Sequence, residues 1–317
     1  MHSVLSTRGI IKILFTVVLL FTILCDAILP KMIFAEETVS APQAQSGSPQ
    51  PEKITFPSRD NALQGNKPTL LNGYLFRPVG NGPFPAIVAL HGCSGLFAKS
   101  GKLSARFEDW GRRLREHGYV VLFPDSFHSR GISEVCTRKN RRSFSAHKER
   151  AGDAFGALAW LQARSFVRGD RVGLLGWSNG GTALLAAVDA SQKPSADKDF
   201  RVAVAFYPGC TNFSKKNNWH PRIPLTILIG EADDWTPASS CRALITRAQQ
   251  EGRTAEVVIF PHAYHAFDHP NLSLRTRKGL AFTVRKEGTA HVGTNPEARS
   301  AVLELVPRIL DQFLKEK

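Results

Sequence analysis

Gly176-Trp177-Ser178-Asn179-Gly180 stands between the apolar run Arg171-Val172-Gly173-Leu174-Leu175 and the Ala/Leu-rich stretch from Thr182 to Ala190. The run before it has the length and composition of a buried strand, and the stretch after it reads as a helix. A serine at that junction sits on a sharp strand-to-helix turn, the nucleophile elbow, which exposes its hydroxyl above the end of a sheet. Such a turn needs positions without a Cβ, and Gly180 and Gly181 let the new helix pack close to neighbouring strands. In another context the pentapeptide is a tight turn with a surface serine; in this one Ser178 is the candidate nucleophile.

Outward from the elbow, strand-length apolar runs alternate with segments of helical period, the pattern of an α/β chain with a mostly parallel sheet. Strands are expected at Thr69 to Phe76, Ala86 to Leu90, Tyr119 to Phe123, Val172 to Leu175, Val202 to Phe206, Leu225 to Ile229 and Glu256 to Phe260. Ser104 can cap a helix burying Phe107, Trp110 and Leu114 that stops at Gly118, where a left-handed residue suits the helix end. Further helices are expected over Ala146 to Ala163 and Ala238 to Gln250. A last one has Asn295 as cap, Pro296 in its first turn and Ala298, Val302, Leu305, Ile309 and Phe313 as its apolar face. Pro307 is the position at which that helix could kink.

The chain has 317 residues, 43% of them hydrophobic, enough for one large domain with a full core. Arg8 and Lys12 precede an uncharged apolar run, Ile13 to Cys25, that is too short for a comfortable membrane span. Ile33-Phe34-Ala35 then offers a small-residue cleavage site, so residues 1–35 are read as a signal peptide and the protein as exported, periplasmic or secreted, with no stable membrane span after cleavage. Residues 36–53 are rich in Pro, Gln, Ser and Glu and read as a disordered linker; the folded domain is expected over 54–317. The chain is strongly basic, with 41 Lys and Arg against 27 Asp and Glu. No nucleic-acid motif accompanies that charge, so Arg138-Lys139-Asn140-Arg141-Arg142 is read as a solvated face. Four cysteines lie beyond residue 35, and an oxidising compartment would favour the bridges Cys210–Cys241 and Cys93–Cys136, the first pair joining loops just past neighbouring strands. No Cys-x-x-Cys spacing suggests zinc.

A serine hydroxyl needs a base, and the base an orienting carboxylate. Carboxylates follow the strand Leu225 to Ile229 in Gly230-Glu231-Ala232-Asp233-Asp234-Trp235-Thr236-Pro237, and histidines follow the next strand in Pro261-His262-Ala263-Tyr264-His265-Ala266-Phe267-Asp268-His269. The chain order Ser, acid, His is that of the α/β-hydrolase arrangement and differs from the trypsin-like and subtilisin-like orders. The spacing leaves Glu231, Asp233 and Asp234 open as acids, and His262, His265 and His269 as bases. Leu90-His91-Gly92-Cys93-Ser94-Gly95 follows another strand and can turn backbone amides toward a developing oxyanion. His91 precedes the serine and is read as bracing that loop.

Together the His-Gly-Cys-Ser-Gly loop, Gly-Trp-Ser-Asn-Gly-Gly, Gly-Glu-Ala-Asp-Asp-Trp-Thr-Pro and Ala-Tyr-His-Ala-Phe-Asp resemble the dienelactone hydrolase family, over roughly Thr69 to Leu314. The resemblance takes in Phe123-Pro124-Asp125-Ser126-Phe127 and, in the following helix, Arg150 and Asp153. It implies the α/β-hydrolase fold, a mostly parallel central sheet flanked by helices on both faces. It selects Asp233, whose Gly-x-x-Asp spacing with Pro237 four residues on matches the acid loop of many α/β-hydrolases, and His265, whose His-Ala-Phe is similar to the motif His-Gly-Phe. It also implies an oxyanion hole from the backbone N–H groups of Cys93 and Asn179. Family members that open dienelactone carry a cysteine nucleophile and a glutamate in the oxyanion-side loop. With Ser178 and a His-Gly loop instead, this chain is expected to be a serine esterase or related acyl hydrolase acting on a small-molecule ester or lactone. No metal or other cofactor is expected. The loop from Asp125 to Arg142 is expected to overhang the site, with Phe127 and Arg130 as substrate contacts. A serine peptidase or acyl-aminoacyl hydrolase of related fold, and a non-catalytic binding protein on the same fold, are the alternatives.

Overall fold

The computed structural model describes residues 50–60, 67–139, 144–192, 194 and 196–316. The expected signal peptide, most of the expected linker, and Asn140, Arg141 and Arg142 lie outside the described residues. The main sheet is built from β1 (Glu52–Pro57), β2 (Leu70–Phe76), β3 (Phe84–Leu90), β4 (Val120–Pro124), β5 (Val167–Trp177), β6 (Val202–Phe206), β7 (Leu225–Gly230) and β8 (Ala255–Phe260). Their spatial order is β1-β2-β4-β3-β5-β6-β7-β8. β2 pairs antiparallel with both β1 and β4, and every other neighbouring pair is parallel. The central strands read as unbroken apolar runs because helices cover both faces of the sheet, so all five side chains of Val202-Ala203-Val204-Ala205-Phe206 are buried.

The helices are α1 (Ala105–Glu116), α2 (Glu149–Gln162), α3 (Asn179–Ala187), the single turn α4 (Thr211–Ser214), α5 (Ala238–Gln250) and α6 (Pro296–Leu314). α1 and α6 are tied by the ion pair of Arg299 with Asp109. Ser104 occupies the N-cap of α1 without a capping hydrogen bond, whereas the Asn295 side chain accepts from Ala298 N at 2.9 Å. Gly118, at φ 91°, takes the left-handed position past α1. α6 runs through Pro307 to Leu314.

Several boundaries differ from the sequence reading. β1 takes Glu52 and Lys53 out of the stretch expected to be disordered, because they pair with Leu75 and Tyr74. An antiparallel edge strand that is mostly exposed carries little apolar signal. A short hairpin of β9 (Arg275–Arg277) and β10 (Ala290–Val292) was not expected, since three-residue strands leave no periodicity to read. The stripe of α6 that is fully buried is Ala298, Val302, Val306, Leu310 and Leu314. Leu305, Ile309 and Phe313 flank it half-buried, because an i, i+4 ridge is what meets the sheet.

The register positions the chemistry. Leu90 and Gly176 are partners across β3 and β5, and Trp177 and Phe206 across β5 and β6. The loops after β3, β5, β6, β7 and β8 therefore all emerge at one edge of the parallel strands, outside their carboxyl ends, where open α/β sheets bind ligands.

Candidate active site

Ser178 adopts φ 53° and ψ −114°, a backbone region that non-glycine residues rarely occupy. Its N–H donates to Phe206 O at 2.9 Å, and its carbonyl accepts from Thr182 N at 2.8 Å, so the turn is held from both sides. Two glycines make room for it. A Cβ on Gly176 would lie 2.5 Å from Gly180 O, and one on Gly180 would run into the carbonyl of Leu90. The local sequence folds this way because only glycine permits that backbone approach.

The loops after β7 and β8 bring the next two groups to the serine. Ser178 Oγ donates to His265 Nε2 at 2.9 Å, and His265 Nδ1 donates to Asp233 Oδ2 at 2.7 Å. Asp233 Oδ1 accepts from the N–H groups of Trp235 and Thr236 at 2.9 and 2.8 Å, and Thr236 Oγ1 lies within 3.2 Å of Asp233 Oδ2, Tyr207 O and His265 Nδ1. The imidazole is buried between the rings of Tyr207 and Trp235, centroids 4.5 and 4.7 Å away. An imidazole so fixed can take the proton of an attacking alcohol while the carboxylate stabilises the cation that forms. The rival residues are placed elsewhere. Glu231 and His262 are exposed, and Asp234 accepts from the backbone N and Nδ1 of His291 at 2.8 and 2.7 Å, anchoring the β9–β10 hairpin.

The loop after β3 lies against the serine: a Cβ on Gly92 would sit 3.7 Å from that of Ser178. Gly92 O can only accept, so His91 Nδ1 carries the proton of their 2.8 Å hydrogen bond, and Nε2 accepts from Ser126 N at 3.3 Å. Both bonds require a neutral ring, and burial, reinforced by Arg150, holds the His91 pKa well below its usual 6.5. Cys93, Ser178 and Asn179 line one cleft, and among the described residues neither the Cys93 nor the Asn179 amide is matched to a protein acceptor.

Two hollows meet at Ser178. The larger, about 570 Å³, is walled by Ala146, Thr182, Trp235, Phe282 and Val284. The smaller, about 180 Å³, is rimmed by Arg106, His269, Arg275 and Arg277. Both cysteine pairs are bridged, Cys93–Cys136 with Cα atoms 5.0 Å apart and Cys210–Cys241 at 5.1 Å. Cys241 lies in the first turn of α5, inside the helix expected over Ala238 to Gln250, and not in the loop before it where the bridge was expected. The first bridge joins the loop after β3 to the segment following Val135, whose N–H also donates to Cys93 O at 2.8 Å. Among the described residues no cluster of side chains suited to a metal is present.

The structure corrects both expected substrate contacts. Phe127 is fully buried, edge-on to His91 and Phe144. The Arg130 side chain, 4% exposed, is used up by Asp60 and Asp153, each at 2.6 Å, and by Ser126 O. A guanidinium so paired staples β1's downstream loop to α2, and its one unpaired donor, Nε, is buried. Asp268 was missed. Fully buried behind the elbow, it accepts from the indoles of Trp110 and Trp177 at 2.9 and 2.8 Å and from the Tyr207 hydroxyl, with Arg106 at 3.4 Å. Its position three residues after His265 was the only available signal.

His269 is depressed to about 4, by burial first and then by Arg106, with Arg299 and Arg275 adding to it. A histidine whose folded pKa is lowered contributes stability above its unfolded value near 6.5 and loses it as pH falls toward the folded one. The melting temperature is thus expected to drop between about pH 6.5 and 4, with His91 and His269 as the cause. Thermal scans across that window should show a shallower slope for His269→Gln; an unchanged slope would remove His269 from the account.

The model of the dienelactone hydrolase family matches residues 71–314. A Bradyrhizobium protein described as a probable 2-oxo-3-(5-oxofuran-2-ylidene)propanoate lactonase is 27% identical over 209 residues, covering 61% of this chain and 77% of the relative. Esterase 2 of Thermogutta terrifontis, phosphonylated by cyclosarin, superposes with a TM-score of 0.57 at 18% identity, over 85% of this chain and 97% of that one. A dienelactone hydrolase-like promiscuous phosphotriesterase from metagenomic libraries gives 0.56 at 17% identity, over 84% and 99%. At such identities the structural likeness concerns the fold.

Proposed function

The chain belongs to the dienelactone hydrolase family and is a hydrolase of esters or lactones, and from that premise we propose that it works through an acyl-enzyme on Ser178, with His265 as base and Asp233 as its orienting acid. The observation that carries this reading is the unbroken hydrogen-bond chain from Ser178 Oγ through His265 to Asp233, at 2.9 and 2.7 Å. His265 Nε2 takes the Ser178 proton as Oγ attacks the carbonyl carbon. The tetrahedral oxyanion is met by the amides of Cys93 and Asn179, the latter at the positive end of α3. Collapse expels the alcohol, which leaves with the proton from His265; in a lactone it stays attached to the acyl group. Water, deprotonated by the same imidazole, then releases the acid and restores the serine. Labelling by a fluorophosphonate at Ser178, with turnover of nitrophenyl esters by the purified protein, tests this reading; a folded protein that does neither would end it. Export belongs to the same reading, since two disulfides are favoured in an oxidising compartment.

The basic rim of the smaller hollow favours substrates that carry an anion beside the scissile carbonyl. Arg277 is committed in part, donating to Ser94 Oγ at 2.8 Å with its guanidinium 5.4 Å from the Trp235 ring, and Arg275 is exposed at the mouth. Arg275→Ala is expected to raise KM for a carboxylate-bearing ester up to about fivefold, the worth of about 1 kcal/mol at an exposed site, and to leave a neutral ester unchanged. The effect should shrink in high salt. Equal KM changes for both esters would remove the anion preference.

A further inference from the structure

Arg150 of α2 is fully buried, yet among the described residues its side chain makes no ion pair. It lies over the Phe127 ring at 5.1 Å, and its Nε has no hydrogen-bond partner. Burying a cation without a carboxylate against it is costly, and an apolar side chain of similar volume would suit the core better. What the guanidinium does touch is specific. Nη1 donates to Asn179 Oδ1 and Nη2 to His91 O, each at 2.7 Å. Asn179 directly follows Ser178; His91 is the first residue past β3 and directly precedes Gly92-Cys93. One planar fork therefore bridges the two loops whose amides are assigned to the oxyanion.

We infer that Arg150 is a positioning residue for the hydrolysis, holding the Cys93 and Asn179 amides at a fixed separation across the elbow. The inference rests on the serine-hydrolase reading above. Oxyanion donors work only when both reach the developing charge at 2.7–3.1 Å. The two loops belong to different strands, β3 and β5, so their spacing is not set by either alone. Arg150 ties one to the other, and the His91 ring, donating to Gly92 O, turns the peptide that carries the Cys93 N–H. The positive charge, buried against Asn179 and His91, also favours negative charge growing nearby, because a water-poor interior screens it little. Lysine could supply the charge but not two donors in one plane.

The test compares Arg150→Met, Arg150→Lys and Arg150→Ala with the parent protein on nitrophenyl acetate, and measures the inhibition constant of a trifluoromethyl ketone. Arg150→Met should lose on the order of 10²-fold in kcat, as for loss of an oxyanion donor. KM should stay within about threefold, and ketone affinity should fall in step with kcat, because the hemiketal oxyanion uses the same amides. Arg150→Lys should fall between the two. Added guanidinium ion should restore part of the Arg150→Ala loss. A folded Arg150→Met variant with parental kcat would overturn the inference, as would a kcat loss with undiminished ketone affinity. Should those variants not fold, Asn179→Ala keeps both the amide and Arg150 and removes one arm of the bridge. It should show the same split of kcat from KM at about tenfold, and parental kinetics would overturn the inference. If the parent itself is inactive, or Ser178→Ala retains its turnover, it is the hydrolase reading that fails, and the role of Arg150 falls with it; an active, Ser178-dependent parent with indifferent Arg150 variants overturns the role of Arg150 alone.

Discussion

Ser178→Ala is expected to lower kcat on nitrophenyl esters by on the order of 10⁴-fold to 10⁶-fold, the equivalent of about 5 to 8 kcal/mol of barrier. The substitution removes one oxygen from a half-buried position whose backbone is already held by Phe206 O and Thr182 N. The fold should survive it, and relief from no other contact is needed. What disappears is the covalent step. The oxyanion-side amides and His265 remain, so a small residual rate from water attack is expected, and labelling by a fluorophosphonate should vanish entirely. Turnover within tenfold of the parent would mean that ester cleavage occurs elsewhere on the protein.

Asp233→Asn should cost nearly as much, on the order of 10⁴-fold in kcat near neutral pH, with little change in melting temperature. The amide can keep the bonds from Trp235 N and Thr236 N through its oxygen. Its nitrogen then faces His265 Nδ1, and an N–H there can only be accepted. The ring must carry its proton on Nε2 instead, pointing a donor at Ser178 Oγ where an acceptor is required. The geometry stays and the tautomer is wrong. A variant that retains more than a tenth of parental kcat would show that Asp234 or another acid orients the imidazole, although Asp234 is already engaged by His291.

The parts of the fold legible from residues alone are those where one physical pressure dominates. β6, β7 and residues 172–177 of β5 are buried on both faces and so are written as apolar runs; the elbow needs glycine where backbone meets backbone; the order of Ser178, Asp233 and His265 follows from strands ending at one edge. The illegible parts depend on contacts between distant segments. Arg130 looked available because an arginine in a loop is usually solvated, and only the fold brings Asp60 and Asp153 to 2.6 Å of it. Phe127 faces inward because His91 and Phe144 close over it, which no local pattern announces. Asp268 collects its donors from α1, β5 and the end of β6, three segments with no common spacing. The β9–β10 hairpin is set by Asp234 and His291 and not by strand propensity.

The bridge between Cys93 and Cys136 fastens the very loop whose amide is proposed above as an oxyanion donor, and it does so outside the main sheet, among Val135, Phe144 and Leu280. A chain kept among cellular reductants would still wind its sheet and align alcohol, imidazole and acid, but its anion cradle would hang from fewer ties. Under the export proposed above, catalytic competence would mature with delivery, sparing the compartment of synthesis from an active esterase during transit.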